Sequence, residues 1–259
     1  MTGSATGWLA VVGLGPGTPE WLVPEARELV LQATDIVGYA TYVDQLPMEL
    51  RQSARLHTSD NRQELERARA ALALAADGRR VAVVSSGDPG VFAMASAVFE
   101  AQFAADADPT WTCVAVHIVP GVTAALAAAA RVGAPLGHDW CCISLSDNLK
   151  PWWVIERRLV AALEADFVLA LYNPASRSRP RQLHTAFGLI RQRRAPATPI
   201  VLARDVGRPD ERVACSPLAD VDLSWCDMRT VILVGSSTSR LVRLPAGGMR
   251  VFTPRSYPT

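Results

Sequence analysis

The chain has 259 residues, with 26 basic and 25 acidic side chains and 49% hydrophobic residues. That is length enough for one large or two modest domains with full cores, and so even a charge balance predicts neither nucleic acid nor an acidic membrane surface as a partner. The five cysteines (Cys113, Cys141, Cys142, Cys215 and Cys226) show no C-x-x-C spacing, which predicts reduced, mostly buried thiols in a cytoplasmic protein.

The N-terminal stretch M-T-G-S-A-T-G-W has no basic segment followed by an apolar one, so no signal peptide is predicted. Residues 8–14 (W-L-A-V-V-G-L) read as a first strand, ending in G-L-G-P-G at Gly13 to Gly17. Residues 24–33 have helical spacing with Leu29 and Val30 on one side; 35–39 form a second strand and 55–57 a short third. An amphipathic helix is predicted over 61–76, with Asn61 as N-cap, Glu64 three residues on, and Leu65, Ala68, Leu72 and Ala76 in one stripe. Gly78 ends it.

Residues 81–92 (V-A-V-V-S-S-G-D-P-G-V-F) are a buried strand running into a tight polar turn, followed by a helix over 91–104. Asp88 is the one charge between Arg80 and Glu100, and caps that helix if Pro89 is its first residue. Residues 113–119 are another strand, with His117 read as a core residue, and P-G-V-T at 120–123 leads into a small-residue helix over 123–131, too short to span a bilayer. Alternating strands and helices give an α/β fold with a largely parallel first sheet.

Past residue 133 the style changes. Residues 140–145 are strand-like, 146–153 (S-D-N-L-K-P-W-W) a polar loop with two exposed tryptophans, 155–165 a helix, and 167–172 a strand ending in Asn173-Pro174. Residues 183–194 form a helix whose Arg191, Arg193 and Arg194 read as a solvated end; 199–204 and 211–215 pair, and 230–234 is a last strand. The boundary falls near residues 120–133, giving a mostly parallel α/β domain over 1–122 and a mixed-sheet α/β domain over 123–259.

Familiar chemistries are missing. Gly13, Gly15 and Gly17 are spaced G-x-G-x-G, with Thr18 where a dinucleotide fingerprint has glycine, and Pro16 and Pro19 delay the helix that would meet a pyrophosphate. No P-loop and no nucleophile elbow is present, and the four histidines, at 57, 117, 138 and 184, lack metal-ligand spacing. No metal site is predicted.

The strand ends remain: Gly13-Leu14-Gly15-Pro16-Gly17, Ser86-Gly87-Asp88-Pro89, Pro120-Gly121-Val122-Thr123-Ala124 and Leu171-Tyr172-Asn173-Pro174. In this order the chain resembles the tetrapyrrole (corrin/porphyrin) methylases, over roughly residues 8–235. The stretch from Ser146 to Leu159, with Tyr172-Asn173-Pro174 and Ser176 to Arg181, narrows the resemblance to the ring-contracting branch of cobalamin biosynthesis. It implies two α/β domains with a cofactor cleft between them, a homodimer, and a tetrapyrrole substrate with no nucleic-acid or membrane partner. It also implies methyl transfer from S-adenosylmethionine to C17 of precorrin-3B, releasing S-adenosylhomocysteine.

By the same resemblance Leu14, Gly15, Pro16, Gly87, Asp88, Val91, Phe92, Thr123, Ala124, Leu171, Tyr172, Asn173 and Ile232 line the cofactor site. A cradle of glycines and carbonyls suits a sulfonium better than a phosphate. Asp88, His138 and Asp147 are candidates for the acid or base of ring contraction, Asp88 first because it ends a buried strand. Arg177, Arg179, Asn148 and Trp152 are candidates for the substrate's carboxylates and apolar face, arginine through its bidentate fork. Two alternatives stay open: a related methylase acting on a cobalt-containing intermediate, and a non-catalytic tetrapyrrole-binding protein.

Overall fold

The computed structural model describes residues 7–52, 54–60 and 63–257. They divide into two compact units meeting in sequence at Thr123 and Ala124.

The first unit runs β1 (Trp8–Gly13), α1 (Pro24–Gln32), β2 (Asp35–Tyr39), α2 (Ala40–Val43), α3 (Met48–Arg51), β3 (Arg55–Ser59), α4 (Glu64–Ala76), β4 (Arg80–Ser85), α5 (Met94–Gln102) and β5 (Ala115–Val119). Its five strands are all parallel, in the order β3-β2-β4-β1-β5. Successive side chains of a strand point to opposite faces, and both faces here are apolar. Leu9, Val11, Val81 and Val83 meet Ala68, Leu72 and Val98 of α4 and α5, whereas Ala10, Val12, Ala82 and Val84 meet Ala26, Val30 and Leu50 of α1 and α3. Hence the central strands read as unbroken hydrophobic runs.

The second unit runs α6 (Ala124–Val132), β6 (Gly133–Ala134), β7 (Trp140–Ser144), α7 (Trp152–Glu164), β8 (Val168–Tyr172), α8 (Gln182–Arg193), β9 (Pro199–Arg204), β10 (Arg212–Pro217), β11 (Thr230–Val234), β12 (Arg240–Arg243) and β13 (Met249–Phe252). The main sheet, β10-β9-β11-β8-β7, is mixed: β7 and β8 are parallel, the other pairs antiparallel. One face carries α7 and α8 through Ile155, Leu159, Phe187 and Ile190. The alanine-rich α6 lies against β9 and β11, where small side chains allow close approach.

Several expectations change. Leu65 and Ala76 are exposed, and the buried stripe of α4 is Arg67, Ala68, Ala71, Leu72 and Ala75. Asn61 lies outside the described residues. His117 is exposed on the edge strand β5, not in the core. The two tryptophans open α7 rather than lying in the loop, and Trp152 packs against the core. Cys113 is exposed and the other four cysteines are half-buried. Arg194 is buried: its guanidinium donates to the carbonyls of Gly235, Leu163 and Phe167, at 3.1, 2.7 and 3.0 Å, and pairs with Asp166 at 3.2 Å. The small sheet β12-β13-β6 had no counterpart in the sequence reading.

Candidate functional site

In the first sheet the neighbouring strands β4, β1 and β5 end in the three glycine-containing turns. The chain reverses direction across the sheet here, since β1 leads outward to β2 while β5 lies on its other side. Open parallel sheets bind ligands beyond the carboxyl ends of their strands at such a reversal.

The turns are joined main chain to main chain. The Gly15 N–H donates to the Gly87 carbonyl at 3.1 Å, and the Gly87 N–H to the Gly15 carbonyl at 2.7 Å. Both glycines are in the left-handed region, at φ +71° and +69°, where a β-carbon is strained. A β-carbon on Gly121 would collide with the Gly87 carbonyl and stand 3.0 Å from Gly13. Phe92 also has positive φ, +54°, and is half exposed. A bulky residue held there needs its surroundings to impose it, a feature concentrated in ligand-binding turns.

Asp88 does not cap a helix. α5 starts at Met94, and its N-cap, Ala93, supplies no side-chain bond. The Gly90 N–H donates to Asp88 Oδ1 at 2.8 Å and the Gly121 N–H to Oδ2 at 3.1 Å. One carboxylate thus closes its own turn and ties it to the turn after β5. Pro89, placed by the sequence reading at the first helical position, lies in that turn.

These residues suit S-adenosylmethionine. The cradle is main chain, too tight for β-carbons, with Asp88 as its charged side chain; its sign favours a sulfonium and disfavours a phosphate.

In the second unit β8 delivers Tyr172 and Asn173 to the end of the sheet. The Tyr172 hydroxyl accepts the Ala125 N–H at 3.0 Å; Asn173, at φ +52°, donates through Nδ2 to Ser144 Oγ at 3.0 Å. Leu171 and Ile232, expected at the cofactor, are fully buried among the core side chains, and their strands pair there with each other. Their side chains are thus core and present nothing to a ligand.

Arg179 is corrected too. It is 4% exposed and donates to the carbonyls of Leu145 and Asn173, at 3.2 and 3.1 Å, and to Met228 Sδ at 2.9 Å. Burial lowers its pKa, an effect that Asp147 nearby opposes. It holds the loop together rather than gripping a ligand. Asp147 accepts from Gln182 Nε2 at 2.9 Å. Arg177 and Asn148 are exposed. His138 precedes β7 and accepts the Asp139 N–H at 2.7 Å, with its ring edge-on to Tyr257. It is at the amino end of that strand, whereas Asp147 and Tyr172 are at the carboxyl ends of β7 and β8, about 17 Å along the strand. The structure does not bring His138 and Asp147 together.

One cluster at this edge was only partly legible. Asp205, with both oxygens buried, faces Arg204, Arg229 and Arg208 at 3.0, 3.3 and 3.8 Å, while Asp227 takes Arg204 Nε at 3.0 Å. The arginines are plain in the sequence, but not the buried carboxylate that they surround.

Two α/β units, one built on a parallel sheet whose strand ends form a main-chain cradle, define a methylase-type architecture. A family model described as Tetrapyrrole (Corrin/Porphyrin) Methylases matches residues 9–222, and the chain belongs to that family. A Sinorhizobium protein named precorrin-3B C(17)-methyltransferase is 52% identical over 252 residues, 97% of this chain and 98% of its own length. A Salmonella typhimurium protein named probable cobalt-factor III C(17)-methyltransferase is 41% identical, over 96% of this chain and 99% of its own. The crystal structure of the methyltransferase CobJ matches with a TM-score of 0.88 at 48% identity, covering 96% of this chain and 100% of that one. Among the described residues no helix is long and apolar enough to cross a membrane.

Proposed function

We propose that this chain is an S-adenosylmethionine-dependent C-methyltransferase that methylates precorrin-3B at C17, with ring contraction, in cobalamin biosynthesis. The observation that carries the reading is the close-packed cradle of Gly15, Gly87 and Gly121 with Asp88 bonded across it. The 52% identity to the Sinorhizobium enzyme supports the choice of substrate.

S-adenosylmethionine supplies the methyl group, carried on a sulfonium. On the first unit Leu14, Gly15, Pro16, Asp88, Val91 and Phe92 are the residues we assign to it, with Gly87 shaping the turn and Thr123 beside it. Leu14 contributes through its main chain, since its side chain is in the core. Ala124, Tyr172 and Asn173 keep that assignment on the family resemblance alone. Catalysis comes from positioning and an electrostatically matched pocket, so no protein nucleophile is required. Asp88 and Asp147, at the ends of β4 and β7, are the carboxylates we assign to proton handling during ring contraction. A cytoplasmic homodimer is the working form we propose, again from the family.

The test is to incubate the purified chain with S-adenosylmethionine and precorrin-3B and to take the product's mass and carbon-13 spectrum. A gain of one methyl at C17 is expected, with the ring's bridging carbon moved out of the macrocycle into an acetyl group. No methyl gain sinks the proposal, and a methylated but uncontracted product removes the contraction. The 41% identity to the Salmonella protein motivates a second reading, a cobalt-containing substrate. Running cobalt-factor III in parallel decides between them by which substrate turns over.

A further inference from the structure

The loop that follows β7 has a tied base and an exposed tip. At its base Arg179 donates to the Leu145 carbonyl, the Ser146 N–H donates to Ser144 Oγ, and Gln182 donates to Asp147. At its tip Leu149 is 98% exposed, and Trp153, on the first turn of α7, is 62% exposed. Isolated exposed leucines are ordinary. Here, however, two large apolar side chains stand four residues apart around the chain's single lysine, Lys150.

Lys150 is half-buried, and its ammonium is held below its ordinary range first by burial and then by Arg158, a like charge. Arg69, Arg131, Arg204 and Arg229 each face a carboxylate within 3.3 Å. Among the described residues no carboxylate pairs with Lys150 or Arg158. Two adjacent cations without a carboxylate partner among the described residues, with two exposed apolar side chains in the same ten-residue stretch, complement a flat apolar ligand edged with carboxylates.

We infer that Leu149, Lys150, Trp153 and Arg158 form the docking surface for the substrate macrocycle. Leu149 and Trp153 cover its apolar face, and Lys150 and Arg158 take carboxylates on its rim. This rests on the tetrapyrrole reading above, and replaces Arg179 and Trp152, which the fold consumes, with residues the fold leaves free.

The probe is uroporphyrin III, a stable macrocycle with eight carboxylates, titrated into the full chain by tryptophan fluorescence. The double variant Lys150→Gln with Arg158→Gln is expected to weaken binding at least tenfold and to flatten its dependence on salt. Leu149→Ser weakens it severalfold with the salt dependence kept. S-adenosylmethionine affinity by calorimetry and the circular dichroism spectrum stay as in the wild type. Unchanged uroporphyrin binding in the double variant overturns the inference. So does binding of these residues to phosphatidylserine vesicles without uroporphyrin binding, since the surface then serves a membrane. Methyl transfer to precorrin-3B with an unchanged KM in the double variant overturns the docking surface and leaves the reaction standing. Uroporphyrin binding that needs Lys150 and Arg158, with no methyl transfer by the wild type, leaves the docking surface standing and overturns the reaction.

Discussion

Replacing Asp88 with asparagine separates architecture from ligand binding. The carboxylate accepts two main-chain N–H groups, from Gly90 at 2.8 Å and Gly121 at 3.1 Å. Asparagine has one acceptor oxygen, so one N–H keeps its partner while the other faces an amide NH2. A hydrogen bond to a charged group contributes roughly 1.5–3 kcal/mol, and partial exposure of Asp88 places the loss at the low end. D88N should therefore lose about 1–2 kcal/mol, a fall in Tm of about 2–6 °C for a chain of this size. Asp88→Ala should lose about twice as much, because both N–H groups lose their acceptor.

The same substitution removes the charge proposed to favour the sulfonium, and S-adenosylmethionine affinity should fall about tenfold, or about 1.4 kcal/mol. Urea denaturation followed by calorimetry with S-adenosylmethionine reads both effects on one preparation. A variant as stable as the wild type refutes the bridging bonds. A variant that is less stable but binds equally well refutes the electrostatic role and leaves Asp88 as a tie between two turns.

Three further outcomes follow from other residues. Gly121→Ala drives a β-carbon into the Gly87 carbonyl, a main-chain atom that cannot rotate away, and should cost about 2–3 kcal/mol or misfold the first unit, read by denaturation; a loss below about 0.5 kcal/mol disproves the close packing. Asp35 is buried, which alone raises its pKa, but bonds from Arg79, His57 and Thr34 outweigh burial and leave it below the ordinary value. A depressed carboxylate stabilises the fold above its unfolded value and ceases to as pH falls through the folded one. Asp35→Asn should thus be less stable than wild type near neutrality, with the gap closing below about pH 4 in acid titrations of stability; a gap constant with pH contradicts this. Burial, with Asp222 and Asp227 nearby, pushes the Cys226 thiol up to about 12, and burial with Cys141 pushes Cys142 up to about 11. Iodoacetamide at pH 8 should therefore label the exposed Cys113 well before either, read by peptide mass spectrometry.

The parallel sheet was legible because its signal is redundant: β1 and β4 are hydrophobic on both faces, and each stops at a glycine-rich turn. The turn at Asp88 was legible as a tight polar turn closing a buried strand, but not in its bonding. Asp-Pro before an apolar stretch fits a helix start, and only the register of β4 against β5 through β1 brings Gly121 within reach of its carboxylate. Long-range pairing also hid Arg67, Arg179 and Arg194. Each is buried because carbonyls, hydroxyls or thioethers of distant segments accept its protons, and an arginine carries no local mark of that fate. The strands β12 and β13 escaped notice because arginine-rich, half-exposed pairs such as Arg240 with Phe252 lack the alternation that identifies a strand.

The two units secure their strand ends by opposite means, and this decides what mutagenesis can detect. Around Gly15, Gly87 and Gly121 the contacts are main chain to main chain apart from the Asp88 carboxylate, so truncations there other than Asp88→Ala remove little, and the damage comes from additions such as a β-carbon. Around Tyr172 and Asn173 the contacts run through side chains: Tyr172 to Ala125, Asn173 to Ser144, Arg179 to Leu145 and Gln182 to Asp147. There truncation exposes or orphans a buried polar group, at about 1–3 kcal/mol each. An alanine scan would therefore score the second cluster as critical and register the first at Asp88 alone. A scan that adds methyl groups to the glycines, paired with ligand affinity, would reverse the ranking, because the cradle works by what it leaves out.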